Sequence, residues 1–585
     1  MAGNKKERSL ADKSALEKQL KNLIFQAVRQ LKIKVNLAAI LLDHPARFDH
    51  GDYFTSFPLQ VESEIPPYDL ACKIVNNLRS IGLPDYLAKI EVAKPGFINF
   101  WLTKDFLISQ LKEVLNRKEK FGYSPEGKGK TVVVDYSSPN IARPFGVGHF
   151  RSTIIGQAIV NLYRFLGWKV VGINYLGDWG TQFGKLIYQI KKRRHPEKLT
   201  LKDLERLYVD FHQKAEKTPQ MADEARKWFK KLEEGDQEAI KIWKNCVAIS
   251  LKEFEKIYRR LGVKFDEVIG ESFFQDKIKT IIDLAKKKKI LVKSQGAWVV
   301  EFPDLKIPPA LLLKSDGATT YVARDLASLN YRRQKWQPDL FVYEVGAEQT
   351  LHFRQVFTIA VKLGFGKADQ FVHVGHGIIY LPGVGKLSTR KGKTIYLEKL
   401  LDEAVKRAKK LGSPNQKIAE MVGVGAVKYF DLKNHPSTNI AFDWQKMFAL
   451  EGDSGPYLQY TYARTQSVLE KFKSTTSDSK ILDLDFSFET YDLNFEINNE
   501  EMDLLRTLYK FPEIVREAGK RFAPNLICGF LFDLAQKYNV FYNRWPILKA
   551  DNLKVVNFRL VLTLAVGQVI KNGLQLLGIE APAKM

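Results

Sequence analysis

Apolar positions change their period several times along the chain, and each change marks a structural boundary. Leu16, Leu20, Leu23, Ile24, Ala27, Val28 and Leu31 recur at helical spacing, which predicts an amphipathic helix over residues 14–31. Short alternating runs such as KIEVAKPGFINFWL (89–102) predict strands, so residues 1–120 read as a small α+β domain. A helix over Phe106–Leu115 and a Gly/Lys-rich linker, GYSPEGKGK, close that region. Val132–Val134 is short and β-branched, as a buried parallel strand requires. After it come a polar turn, Ser137-Ser138-Pro139-Asn140, and the glycines Gly146 and Gly148. From His149 onward Ile154, Ile155, Ala158, Ile159, Leu162 and Leu166 return to helical spacing, and Val170–Ile173 reads as the next strand. Strand, helix and strand in that order predict an α/β class: a doubly wound, Rossmann-type parallel sheet over residues 121–410.

Within that domain, residues at about 190–295 turn helical and highly charged, with mixed-sign runs of the kind that form solvated helix faces. A strand, turn and helix pattern returns at 308–325, an apolar strand with a polar turn at 337–357, and a further strand region at 371–381. Residues 411–585 read as an all-α domain, interrupted by a polar, acidic surface loop at 473–500.

Composition narrows the class of partner. The chain has 585 residues, 45% of them hydrophobic, enough for packed cores and against disorder. A formal net charge of +25 favours a polyanion, with nucleic acid ahead of an anionic membrane. Cys72, Cys246 and Cys528 are far apart, without a CxxC pair, which argues against a disulfide framework or structural zinc and fits a reducing cytosol. The first residues lack an apolar signal core, and Glu7, Asp12 and Glu17 oppose a transit peptide. No apolar run approaches the roughly 18 residues that span a bilayer. The expectation is a soluble, cytoplasmic protein without a metal site of its own.

Three places carry chemistry. At the end of the 132–134 strand, free N–H groups and the helix dipole at Gly146–His149 form a phosphate-holding geometry, or else an ordinary strand-to-helix turn. Gly148 permits close backbone approach, and His149 is a donor at the helix start. Tyr321 and Asp325 are four apart and share one helix face if the helix has begun. Lys386, Ser388, Thr389, Arg390 and Lys391 form a short basic loop after a strand. Farther on, Tyr457, Tyr460 and Arg464 line one face of a helix, either a surface for stacking on unpaired bases or an amphipathic core.

These stretches have a family likeness. Gly146-Val147-Gly148-His149 resembles the His-x-Gly-His signature of class I aminoacyl-tRNA synthetases, with glycine in place of the first histidine. SSPNIA, HFRSTIIG, YLGDWGTQFG, EGDSGPYLQYTYAR and the ending QLLGIEAPAKM resemble arginyl-tRNA synthetases, and KLSTRKG resembles the Lys-Met-Ser-Lys-Ser signature. The resemblance implies formation of arginyl-adenylate from arginine and ATP, then transfer to the terminal ribose of tRNA(Arg). It implies ATP contacts at Gly146, Gly148, His149, Lys386 and Ser388, with His149, Lys386, Ser388 and Arg390 catalytic. Magnesium is expected on the ATP phosphates, with no tightly bound cofactor. By the same likeness Asp325 and Tyr321 meet the guanidinium, Asn140 with Ser138 the α-amino end, and Asp135, His149 and Gln349 the rest of the arginine. Tyr457, Tyr460 and Arg464 fall in the helical anticodon-binding domain, and the N-terminal domain grips the outer corner of tRNA. There Gly51-Asp52-Tyr53 agrees with the family's loop, while Ser56 replaces its usual asparagine. A monomer is expected, with no editing domain. The alternative that Gly146 raises is a catalytically silent, tRNA-binding paralogue.

Overall fold

This computed structural model describes residues 15–193, 199–381, 385–386, 396–475, 495–550 and 552–585. The chain divides into two compact units, one of Met1–Ser124, Arg464–Arg516 and Phe530–Asn572, the other of Pro125–Ala463, Glu517–Gly529 and Gly573–Met585.

In the first unit, α1 (Ala15–Gln30) buries Leu16, Leu20, Ile24, Ala27 and Val28, the stripe its period predicts. Next come β1 (Tyr53–Thr55), α2 (Phe57–Gln60), α3 (Pro67–Ile81), β2 (Leu87–Ala93), β3 (Phe97–Leu102) and α4 (Lys104–Arg117). The strands form an antiparallel sheet in the order β1-β3-β2. Gly51 has φ +96° and lies so close to β3 that a Cβ would stand 2.6 Å from the Phe100 carbonyl oxygen. The next two residues join the sheet to Arg506 and Glu513 of the same unit. Asp52 is fully buried, accepts the Leu102 N–H at 2.8 Å and lies 3.2 Å from Arg506 Nε. Tyr53 donates to Glu513 at 2.5 Å, and His44 Nε2 meets the same carboxylate at 3.0 Å.

One helix of this unit corrects the sequence reading of apolar runs. Leu553–Leu576 is 24 residues long and apolar enough by composition to cross a membrane. Most of its apolar window, 67%, is buried inside the protein, and its Arg559 pairs with Glu501 at 2.7 Å. Asn557, Arg559 and Lys571 break the apolar run, so inspection of consecutive residues passes over the helix.

The second unit is built on β4 (Thr131–Asp135), α5 (Val147–Phe165), β5 (Lys169–Leu176) and α6 (Thr181–Lys191). Three helices follow: α7 (Leu201–Ala215), α8 (Gln220–Glu233) and α9 (Gln237–Arg260). Then β6 (Glu267–Gly270) and α10 (Ile278–Lys287) precede a small antiparallel sheet of β7 (Val292–Ser294), β8 (Ala297–Val300) and β9 (Ala310–Leu313). Finally α11 (Tyr321–Trp336), β10 (Leu340–Gly346), α12 (Thr350–Leu363) and β11 (Phe371–His376) complete the main sheet. Its order is β11-β10-β4-β5-β6 and every pairing is parallel. The strand β6 lies inside the stretch that reads as helical in sequence, because four residues are too few to show a period.

Strand order reverses between β4 and β10, the neighbours from which the sheet grows both ways. Their carboxyl ends, Asp135 and Gly346, open the crevice where ligands of such sheets bind. Beyond β11 come β12 (Ile379–Leu381), β13 (Gly385–Lys386), α13 (Leu397–Lys410), α14 (Gln416–Leu432), β14 (Ile440–Ala441), α15 (Trp444–Met447) and α16 (Gly455–Thr475). Most of the acidic loop expected at 473–500 lies outside the described residues. The final residues belong to this unit, held by Gln459 donating to the Glu580 carbonyl at 2.7 Å and Lys428 to that of Gly578 at 2.5 Å.

Gly51→Ala is expected to destabilise the first unit by about 1–3 kcal/mol, since an L-residue there is both strained and crowded. Calorimetry measures this directly: an unchanged unfolding transition contradicts the geometry.

Candidate active site

The loop leaving β4 has an uncommon backbone. Ser137, Ser138 and Ala142 have φ of 72°, 44° and 61°, in the left-handed region that non-glycine residues rarely enter. A set of hydrogen bonds fixes them there. Ser137 N–H donates to Ser152 Oγ at 2.9 Å, and its hydroxyl shares a 2.8 Å bond with Tyr258. Ala142 N–H donates to Ser250 Oγ at 2.9 Å. Asn140 pairs with the backbone of Gly177, whose carbonyl takes the Ile141 N–H at 3.1 Å. Ser250 and Tyr258 both come from α9, so the inserted helices hold the loop at the crevice.

Beneath the loop is a buried ion pair. Asp135 meets Arg332 of α11 at 2.6 Å, both nearly inaccessible, and accepts from Ser138 Oγ at 3.0 Å. Burial raises the Asp135 carboxyl pKa, while Arg332 and Ser138 lower it and Asp325 adds to the rise. The Arg332 guanidinium lies 5.2 Å from the Tyr175 ring and 5.4 Å from that of Tyr343. Breaking such a pair from one side leaves an uncompensated charge indoors, which costs about 3–5 kcal/mol.

A second acidic group stands at the edge. Asp325 accepts from His352 Nε2 at 2.6 Å, joining α11 to α12. Glu271, just past β6, meets Arg324 at 2.8 Å. Burial drives the Glu271 carboxyl up to about 7, with Arg324 opposing and Asp325 and Asp178 reinforcing the rise. Asp178 is held by the Ser272 N–H at 2.8 Å and its hydroxyl at 2.7 Å. The Tyr175 hydroxyl, in the field of Asp325 and Glu271, is buried and has no hydrogen-bond partner among the described residues. Carboxylates that raise Glu271, gathered around a buried hydroxyl, form a place where an added cation is stabilised. Tyr321 is 67% exposed at the start of α11, its ring 5.4 Å from Arg324, and Gln349 is exposed at the start of α12.

At the mouth, α5 begins with Gly146 in an extended backbone, φ −95° and ψ 169°. Its N–H donates to His149 Nδ1 at 3.3 Å, which places the imidazole proton on Nε2. Burial pushes the His149 pKa down to about 4, with Arg143 and His376 contributing. This ring is therefore a neutral donor at ordinary pH, and it favours folding fully above about 6.5, less as pH falls toward 4. A Cβ on Gly148 would meet nothing within 4 Å, so the first turn of the helix is open. Two buried polar pairs brace the region: Arg151 lies 3.0 Å from Asp431, and Glu344 2.9 Å from His376 Nδ1. The backbone of Lys386 lies in β13, but its side chain, Ser388 and Arg390 lie outside the described residues. On α16, Tyr457 is half-buried and Tyr460 42% exposed. Arg464 donates to Asn539 and lies 4.7 Å from the Tyr542 ring, so it helps pack the helices of the first unit.

Comparison with known proteins matches this geometry. Residues 110–444 match the family of class I (R) tRNA synthetase catalytic domains. Residues 458–585 match the DALR anticodon binding domain, and 18–102 the arginyl tRNA synthetase N terminal domain. The arginine–tRNA ligase of Clostridioides difficile strain 630 is 39% identical over 93% of this chain and 95% of that protein. That of Clostridium kluyveri is 40% identical over 95% and 98%. The chain belongs to the arginyl-tRNA synthetase family. Among solved structures, arginyl-tRNA synthetase from Plasmodium falciparum superposes with a TM-score of 0.83 at 25% identity, covering 98% of this chain and 99% of that one. The Thermus thermophilus arginyl-tRNA synthetase shares the fold, with a TM-score of 0.80 at 24% identity over 97% and 100%.

Sequence reading of this arginyl-tRNA synthetase family member misses Glu271, Arg332, His352, Ser250 and Tyr258 as parts of the site. Glu271 had a signal, a carboxylate directly after a short apolar run. Ser250 and Tyr258 are eight apart on α9, polar positions in an otherwise buried stripe with Phe254 and Ile257. Tyr258→Phe removes the hydroxyl that Ser137 and Asn174 share, and the loop is expected to open about tenfold more often, as losing about 1.4 kcal/mol requires. Native-state hydrogen exchange at Ser137 and Ala142 measures it; unchanged protection there would show that the loop holds its shape without α9.

Proposed function

We propose that the chain attaches L-arginine to tRNA(Arg) in two steps, and that the carboxylates Asp325 and Glu271 beside the β4–β10 crevice carry this reading. Arginine presents a planar cation whose donors two carboxylates accept, and uncharged analogues would leave those carboxylates unpaired. Tyr321 and Gln349 close over the amino acid from the exposed starts of α11 and α12. Asn140 and Ser138 hold the α-amino end. Asp135 acts from below, fixing Arg332 and Ser138.

In the first step a carboxylate oxygen of arginine attacks the α-phosphorus of ATP. An O–P bond forms, the bond to the bridging oxygen breaks, and pyrophosphate leaves. Little covalent work falls to the protein, so positioning and charge stabilisation dominate. His149 offers its Nε2–H to the phosphate oxygens as a neutral donor, beside the open first turn of α5 at Gly148. Lys386, Ser388 and Arg390 neutralise the departing pyrophosphate, and magnesium arrives with ATP. In the second step a hydroxyl of the terminal ribose attacks the arginyl carbonyl and AMP leaves. Residues 1–120 and 411–585 grip the tRNA, with Tyr457 and Tyr460 toward unpaired bases. The protein works as a cytoplasmic monomer.

Charging of tRNA(Arg) with arginine, ATP and magnesium is the direct test; no arginyl-tRNA under those conditions would leave the silent paralogue as the reading. Asp325→Ala is expected to lower arginine-dependent turnover at least about a hundredfold, the range for removing a charge-pairing partner, with tRNA affinity kept. Equal loss of both contradicts the assignment. Gly146→His is expected to preserve or raise the charging rate, because the backbone at 146 is extended and accepts any side chain; a large loss would show the loop to be built around glycine.

A further inference from the structure

Cations gather on the side of the β4 loop that faces the inserted helices. Arg143 lies between Asn140 and Gly146, half-buried, and its guanidinium turns to Tyr208 of α7. Nη2 donates to the Tyr208 hydroxyl at 3.3 Å, and the guanidinium carbon lies 5.2 Å from the ring centre. Lys185 of α6 places Nζ 3.3 Å from His212 Nε2 of α7, and 5.8 Å from the ring centres of both Tyr208 and Phe211. Among the described residues, Arg143, Lys185 and His212 form no ion pair with a carboxylate. Glu216, exposed one turn beyond His212, is the acid that faces the group.

These charges oppose one another. Burial lowers the Lys185 pKa, and Arg143 lowers it further. His212 is lowered by burial, then by Lys185 and Arg143, against Glu216. Arg143 also reaches His149 electrostatically, which places the cluster near the start of α5. Holding two or three cations together without an anion is unfavourable, and a bound anion reverses the sign of that interaction.

We propose that Arg143, Lys185 and His212 form a phosphate site, separate from the ATP-holding turn, that takes a backbone phosphate in the single-stranded 3′ end of tRNA. The proposal rests on the tRNA-charging reading above. A phosphate here could belong to tRNA or to ATP, and the half-buried Tyr208 ring decides. It stands among the cations, the arrangement that tracks a single strand by neutralising phosphates while a base stacks alongside. A triphosphate would need no such ring. Two of the three cations also come from α6 and α7, not from either signature loop.

The test uses the full chain with Lys185→Gln, His212→Gln and their combination. Titration of tRNA against each, at several salt concentrations and without ATP or arginine, is expected to show roughly tenfold weaker binding for the double variant. The slope of log affinity against log salt is expected to fall by about 1 for each phosphate no longer held. Lys185→Arg keeps the charge and is expected to bind as the parent does. Unchanged affinity and slope in the double variant overturn the proposal. A raised KM for ATP with tRNA binding intact assigns the phosphate to the nucleotide and also overturns it. Equal weakening in Lys185→Arg would mean packing, and overturns it too. Because the titration needs no catalysis, failure of the parent to charge arginine would strike the reading of function and leave this result standing.

Discussion

Backbone strain in the β4 loop is the constraint on which the crevice depends. Ser137, Ser138 and Ala142 each occupy a left-handed conformation that costs about 1–3 kcal/mol outside glycine. Local hydrogen bonds tie Ser138 to Asp135 and to the Tyr136 carbonyl. The rest of the compensation comes from α5 through Ser152, from Gly177 just past β5, and from α9 through Ser250 and Tyr258. Asp135 adds an anchor below, where Arg332 holds it in a site too dry for a lone carboxylate. The strained loop thereby presents Asn140 and Ser138 on a fixed frame, before any ligand is there to fix them.

The same loop separates two electrostatic fields. On the α11 side, Asp325 and Asp178 raise the Glu271 carboxyl, and the group awaits a cation. On the insertion side, Arg143 lowers Lys185, both lower His212, and the group awaits an anion. His149, driven neutral between them, adds no net charge to either. A substrate cation and a polyanion can then approach from opposite sides without competing for the same groups.

Much of this was legible in sequence. Val132–Val134, the glycine loop and the return to helical period at Ile154 locate the crevice, because burial dictates both periods. Asp325 and Tyr321 stand out by sharing one face at the start of a helix and by their family likeness. What sequence withholds is pairing across distance. Asp135 meeting Arg332, or Ala142 meeting Ser250, depends on how strands and helices pack, and no local period encodes that. Gly51-Asp52-Tyr53 shows the same limit: its family likeness is plain, yet its tie to Arg506 and Glu513 appears only in three dimensions. Four-residue β6 was invisible for a simpler reason, since a period needs more residues than it has.

The two hydroxyls of α9 change what the inserted helices are. An appendage can be trimmed, or exchanged between relatives, without touching the parent architecture. These helices cannot, because Ala142 would keep a buried N–H with no acceptor and Ser137 would lose its outer support. A shortened enzyme without them would retain its sheet and lose the shape of its crevice. An exchanged insertion would serve only if it restored a hydroxyl at both positions, so Ser250 and Tyr258 mark where the graft and its host must agree.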